Sequence, residues 1–139
     1  QAFYRVIYGL DGARSLASWD MVGDLPAGQR QVAFGWAPYA RRLLLVVEPT
    51  WQSVLAARRI AHLVATRPGP ALCVVANKCT GPEEVRVIEE RLGMPARACI
   101  PLDPAVVAAE RAGVALLDEA PDAPAAEAID RLAERLLET

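Results

Sequence analysis

Two short strings constrain the fold more than anything else in the chain. Residues 42 to 48, "RLLLVVE", are apolar at every position from Leu43 to Val47, and residues 71 to 76, "ALCVVA", follow suit. A strand with one wet face alternates apolar and polar residues. A continuous apolar run of strand length is instead typical of a parallel strand covered on both faces. Between the two strings lies a helical pattern. Thr50 reads as an N-cap, and the helix from Trp51 to about Thr66 carries Val54, Ala57, Ala61 and Val64 on one stripe. "RPGP" then breaks the chain ahead of the second strand.

The same alternation continues in both directions. Pro82 starts a helix that runs to Leu92, with Val85, Ile88 and Leu92 inward and Gly93 as its stop. Residues 97 to 101 form a short strand, and Pro104 to Ala112 a helix ended by Gly113. "DEAPDAPAAE" (118–127) reads as a solvated connector. Residues 123 to 138 form a final amphipathic helix with Ala125, Ile129, Leu132 and Leu136 on its apolar side. Toward the N-terminus, residues 2 to 17 read as a helix with Phe3, Val6, Ile7 and Leu10 on one face, weakened by Gly9 and Gly12. Residues 19 to 25 ("WDMVGDL") read as a short buried strand, and residues 29 to 40 as helical with an irregular turn at Pro38. The expectation is an α/β fold: a mostly parallel sheet with helices on both faces, in a single domain.

Composition excludes several classes. The apolar runs are too short to span a bilayer, and no signal peptide is recognisable. Fifteen basic against seventeen acidic residues leave a net charge of −2 and no basic stripe, which argues against nucleic acid as a partner. The C-terminal "EAIDRLAERLLET" carries four acids and two arginines, the wrong charge for a membrane-docking helix. Cys73, Cys79 and Cys99 form no CxxC or CxC pair. They read as buried free thiols of a reducing, cytoplasmic compartment. His62 lies mid-helix without a metal-spaced partner, and Trp19, Trp36 and Trp51 read as packing residues. The chain begins at Gln1 within a helix-like pattern, which suggests a piece of a longer protein truncated at the N-terminus.

Ligands of open parallel sheets sit off the carboxyl ends of the strands. Four such ends carry notable residues: Asp24 to Gly28, Glu48-Pro49, Asn77-Lys78, and Pro101 to Asp103. "DMVGDLPAG" (20–28) resembles the switch II segment of the deviant P-loop ATPases, the MinD, ParA and Mrp group. "VVANK" (74–78) resembles that group's adenine-reading strand end, and "IPLDPAVVAAERAGVALLDEAP" (100–121) is similar to its distal segment. "VVEPTWQSVLAARRIAHL" (46–63) is similar to the subgroup that includes the nickel-insertion ATPase of carbon monoxide dehydrogenase maturation, where a glutamate-proline pair, a serine and an isoleucine recur at this spacing.

The resemblance runs from about residue 17 to the C-terminus. It implies ATP and Mg²⁺ as cofactors. Asp24 would hold the water shell of Mg²⁺, which keeps most of its waters. Gly28 would offer its N–H to the γ-phosphate and swing when that phosphate leaves. Asn77 would present its amide to adenine. Pro101 and Asp103 would border the base, with Asp103 also a candidate N-cap for the helix at Pro104. Lys78 would pack over base or ribose, or be solvated, and Glu48 reads equally well as a solvated strand end. The implied function is an ATP-dependent dimer switch acting on a partner protein or a metal-cofactor assembly.

One part of that resemblance is missing. The family's phosphate-cradling loop is glycine-rich and ends in Lys-Ser/Thr. None of the nine glycines here is followed by lysine, and the only lysine is Lys78. The expectation is therefore residues 1–139 as the C-terminal part of a MinD/ParA-like domain, a partial P-loop NTPase fold lacking its P-loop strand. That strand would lie between the Asp24 strand and the 42–48 strand, so no ladder should join those two. Phosphoryl transfer depends on positioning and charge neutralisation, so this chain alone is expected to be inactive. The alternative is a degenerate nucleotide-binding or protein-interaction module. A receiver or hydrolase domain finds no support, since there is no G-x-S-x-G elbow.

Overall fold

The computed structural model describes residues 20–25, 40–66 and 69–138. Three parallel strands form the sheet: β1 (Arg42–Val47), β2 (Ala71–Cys79) and β3 (Ala96–Pro101), in the order β1-β2-β3. Among the described residues five helices accompany them: α1 (Trp51–Ala65), α2 (Pro82–Leu92), α3 (Pro104–Ala112), the short α4 (Leu116–Glu119) and α5 (Pro124–Leu137).

Local chemistry accounts for most boundaries. The Thr50 hydroxyl accepts from the Ser53 N–H at 3.2 Å, and the Ser53 hydroxyl accepts from the Glu48 N–H at 3.0 Å. The turn from β1 into α1 is thus closed from both sides. Pro82 and Pro104 occupy first-turn positions, where a missing N–H costs nothing. Gly93 (φ 67°) and Gly113 (φ 70°) end their helices in the left-handed conformation that glycine adopts without a Cβ penalty.

Two consecutive crossovers stepping in one direction across a parallel sheet put both helices on one face. Leu45, Val47, Val74, Ala76, Cys79, Val54, Ala57 and Ile88 accordingly form one buried cluster between the sheet and α1 and α2. Val75, between Val74 and Ala76 in the strand alternation, faces the other way and is also buried. That second face is covered by α5, which packs along β3 and buries Ala125, Ala126, Ala128 and Leu132. Arg97 and Arg135 each donate to the other's carbonyl (3.1 and 3.0 Å), and Arg42 donates to the Leu136 carbonyl at 2.6 Å. Cations at the last carbonyls of α5 offset its dipole.

Several expectations are corrected. Residues 20–25 are not a strand, and Val22 is 97% exposed. A strand holds its place through ladder bonds and apolar contact. No described strand pairs with this segment, and Met21-Val22 is too short an apolar string to hold it alone. No ladder joins it to β1 among the described residues. Among the described residues β1 is not covered on both faces: Leu44 and Val46 are exposed, and α5 packs chiefly along β3. The 118–127 connector is only partly solvated, since it includes α4 and the buried Ala123, Ala125 and Ala126. Ile129 points outward, and small Ala128 takes the inner position that lets α5 approach the sheet. Trp51 is exposed, with the Arg91 guanidinium 5.1 Å from its ring centroid, a cation–π contact between α1 and α2. Cys79 is buried, Cys73 half-buried and Cys99 exposed, so all three are free thiols but only one is a core residue. The helices expected at 2–17 and 29–40, with Trp19 and Trp36, lie outside the described residues, as does Gly28.

Candidate functional site

The carboxyl edge of the sheet brings together three of the four strand ends singled out by sequence. At β1, Glu48 extends from the strand just after Val47. At β2, the chain departs from regular pairing: the register with β3 shifts between Asn77 and Cys79, and Lys78 sits at φ 56°. Lys78 is the one described non-glycine residue with a positive φ, a conformation that costs about 1–2 kcal/mol for an L-residue. The bulge swings its ammonium to Glu48, 2.6 Å from Oε1. The hydrogen bond and charge of Glu48 raise the Lys78 pKa above its ordinary value. Both partners are well exposed, so the pair orients side chains across β1 and β2 more than it stabilises the fold.

Asn77 precedes this bulge. It pairs with Ile100 of β3 and is half-buried. Among the described residues its side-chain amide has no hydrogen-bond partner. At β3, Pro101 pairs with Cys79, and the Leu102 N–H donates to the Cys79 carbonyl at 2.9 Å. Asp103 is buried, and both carboxylate oxygens are engaged. Oδ1 accepts from the Ala105 N–H at 2.9 Å in the first turn of α3, and Oδ2 accepts from the Ala125 N–H at 3.0 Å in the first turn of α5. The N-cap reading of Asp103 holds, and a second helix shares the cap.

Asn77, Lys78, Glu48 and Pro101 therefore gather along one edge, with Asp103 beneath them as a brace. Asp24 is exposed in the irregular segment 20–25, and nothing described ties it to this edge. The exposed His62 lies on α1, away from the strand ends. Sequence reading missed the Glu48–Lys78 pair, because the bulge that creates it has no glycine to announce it. The capping role of Ser53 was within reach: it stands three residues after Thr50 and five after Glu48, and the tie it makes is a local reason for that spacing.

Below the same edge, Cys79 and Cys99 line an open hollow of about 410 Å³ between α2 and the sheet. Burial, followed by the neighbouring Cys99 thiol, pushes the Cys79 pKa up to about 12. The sign of the resulting pH dependence follows directly. Between the ordinary thiol pKa of 9.0 and about 12, the folded state keeps a proton that the unfolded state has lost. Stability therefore falls as pH rises through that window. Urea titrations at pH 9 and pH 11 are expected to show a smaller loss in Cys79→Ala than in the unaltered chain. Equal losses would mean that Cys79 titrates normally.

Neither a protein-family model nor a curated protein matches the sequence. Solved structures do match the fold. The cell division ATPase MinD of Pyrococcus furiosus aligns with a TM-score of 0.72 and 24% identity, covering 94% of this chain and 57% of that one. The septum site-determining protein MinD of Pyrococcus horikoshii OT3, solved with Mg-ADP, aligns with a TM-score of 0.71 and 21% identity, covering 92% and 55%. A ParA family ATPase from Chlorobium tepidum TLS gives 0.60 and 24%, covering 69% and 41%. The chain spans about half the length of these structures. Its three parallel strands, flanked by helices on both faces, are part of the MinD/ParA P-loop NTPase fold.

Proposed function

We propose that the chain is the C-terminal part of an ATP-binding, ATP-hydrolysing domain of the MinD/ParA type, and that its carboxyl edge is the adenine end of the nucleotide site. One observation carries this reading: the half-buried, unpartnered amide of Asn77. A half-buried amide without a protein partner is free to be completed by water or by a ligand edge. A purine edge offers the donor and acceptor that an amide matches. Pro101 flanks the same place as an apolar wall, while Asp103 contributes by bracing α3 and α5 rather than by lending its carboxylate. The Pyrococcus horikoshii MinD was solved with Mg-ADP, and the same cofactor pair is proposed here. Asp24 would hold Mg²⁺ through water and Gly28 would meet the γ-phosphate, once a phosphate-binding loop brings them to the edge.

The complete protein would act as a nucleotide-dependent homodimer on a partner protein, in the cytoplasm. The Glu48-Pro49, Ser53 and Ile60 spacing favours the nickel-insertion subgroup, with a metal-cofactor assembly as cargo. No described helix is long and apolar enough to cross a membrane.

Phosphate release and fluorescent-nucleotide binding test this together. The chain alone is expected to give no ATP turnover, because no lysine-bearing loop neutralises the developing charge. It is expected to bind an N-methylanthraniloyl-ADP probe weakly. Asn77→Ala should cut that binding by about fivefold or more, the worth of one or two hydrogen bonds. Equal competition by GDP and ADP would overturn the adenine assignment. Clear turnover abolished by Asp24→Ala would overturn the expected inactivity.

A further inference from the structure

The hollow lined by Cys79 and Cys99 is not explained by nucleotide chemistry. Its two thiols come from adjacent parallel strands. Cys99 pairs with Ala76, and the register shift at Lys78 moves Cys79 opposite Pro101. The bulge thus turns Cys79 onto the α2 face, where it joins the core cluster with Ala76, Val47 and Ile88. Cys79 is only 3% exposed, whereas Cys99 is open to solvent. Pro82, Val85 and Pro101 wall the hollow, and Arg86 stands on its rim. The Cys79 thiol lies 3.9 Å from the Asn77 carbonyl and within hydrogen-bonding reach of the Cys99 thiol.

We propose that Cys79 and Cys99 together bind a soft, monovalent d¹⁰ metal ion, copper(I) by class, as a two-thiolate site beneath the carboxyl ends of β2 and β3.

Geometry selects an inserted ion over a direct disulfide. The two cysteines are diagonal neighbours, two residues apart along strands roughly 4.8 Å apart, which puts their Cα atoms roughly 8 Å from each other. A disulfide requires about 4.4–6.8 Å between Cα atoms and only about 2.05 Å between sulfurs. A metal–thiolate bond is about 2.3 Å for zinc, so an ion between two sulfurs spans over 4 Å and needs no closing of the strands.

The donor set selects the ion. No group of three or more His, Cys, Asp or Glu is placed to hold a metal among the described residues. Two thiols by themselves fall short of the four ligands that zinc takes in structural sites. Two thiolates alone suit a soft ion that accepts two ligands, and thiolates select copper(I). The binding step releases two protons: two thiols and one monovalent cation give a bis-thiolate complex of charge −1 and two H⁺ to solvent. No electron is transferred. Arg86 and Glu89 also line the hollow, with the Arg86 guanidinium ion-paired to Glu83 at 2.6 Å. This proposal stands independently of the nucleotide reading.

The test is an anaerobic titration of the reduced chain with copper(I) held by the chromophoric chelator bicinchoninate. One ion per chain is expected to leave the chelator. Cys79→Ser and Cys99→Ser should each weaken uptake by about a hundredfold or more, since losing even an outer-shell partner costs 10–100-fold. Cys73→Ser serves as the control and should bind like the unaltered chain. X-ray absorption at the copper edge should report two sulfur neighbours. Cys99 is exposed, so Cys99→Ser tests the site without threatening the core, and circular dichroism verifies its fold. Undiminished uptake by Cys99→Ser, loss of uptake in Cys73→Ser, or no transfer from the chelator would each overturn the proposal. So would equally tight retention of Zn²⁺ by the same two cysteines.

Discussion

Ile88→Ala is expected to destabilise the chain by about 2–5 kcal/mol, toward the upper part of that range. Ile88 is fully buried in the cluster that joins α2 to α1 and the sheet. Its neighbours there include Ala57 and Ala76, whose short side chains already bring backbone close and leave nothing to swing into the vacated space. The cavity therefore stays open, and the cost includes both lost transfer energy and lost contacts. Urea unfolding monitored by circular dichroism measures it as a lower midpoint with little change in slope. Ile129→Ala is the paired measurement. Ile129 has the same side chain but is 43% exposed on α5, and its truncation should cost less than about 1 kcal/mol. Equal losses at the two positions would mean that α5 is rotated from the orientation described.

Asp103→Ala is expected to cost about 2–4 kcal/mol. Loss of an N-cap side chain accounts for about 1 kcal/mol. The Ala125 N–H, buried and bonded to Oδ2, would then lack an acceptor, which costs a further 1–3 kcal/mol. Asp103→Asn keeps one side-chain oxygen and offers an N–H₂ where the second acceptor stood, so it should lose roughly half as much. Amide hydrogen exchange separates this from a general loss of stability. Faster exchange should concentrate at Ala105 and Ala125, at the first turns of two helices far apart in sequence. A change confined to α3 would reduce Asp103 to an ordinary cap. The proposed nucleotide site would be touched indirectly, because the same residue sets where α3 leaves β3 next to Pro101.

Much of the fold was legible because its signals are local. Thr50 marks the start of one helix, and Pro82 with Gly93 and Pro104 with Gly113 each bracket another, through hydrogen bonds and φ preferences that need no distant partner. The apolar runs of β1 and β2 marked strands, and alternation with helices implied parallel pairing, as found. Asn77, Lys78 and Pro101 were recognisable as strand-end residues for the same reason.

What the sequence could not supply depended on contact between distant segments. The reach of Asp103 to Ala125 joins residues separated by 22 positions. The left-handed Lys78 carries no glycine to mark it, and only pairing with β3 reveals the bulge. Ile129 and Trp51 have the hydrophobicity of core residues, but which face is inner depends on where α5 and α2 lie. Residues 20–25 show the same limit from the other side: an apolar pair becomes a strand only when a neighbour completes its backbone bonds. The sequence by itself determined the three paired strands, the helices α1, α2, α3 and α5 and most of their caps, because those follow from propensities and hydrogen bonds within a few residues. Only the tertiary structure decided which side chains meet at the strand ends, because the Glu48–Lys78 and Cys79–Cys99 neighbours owe their meeting to strand register.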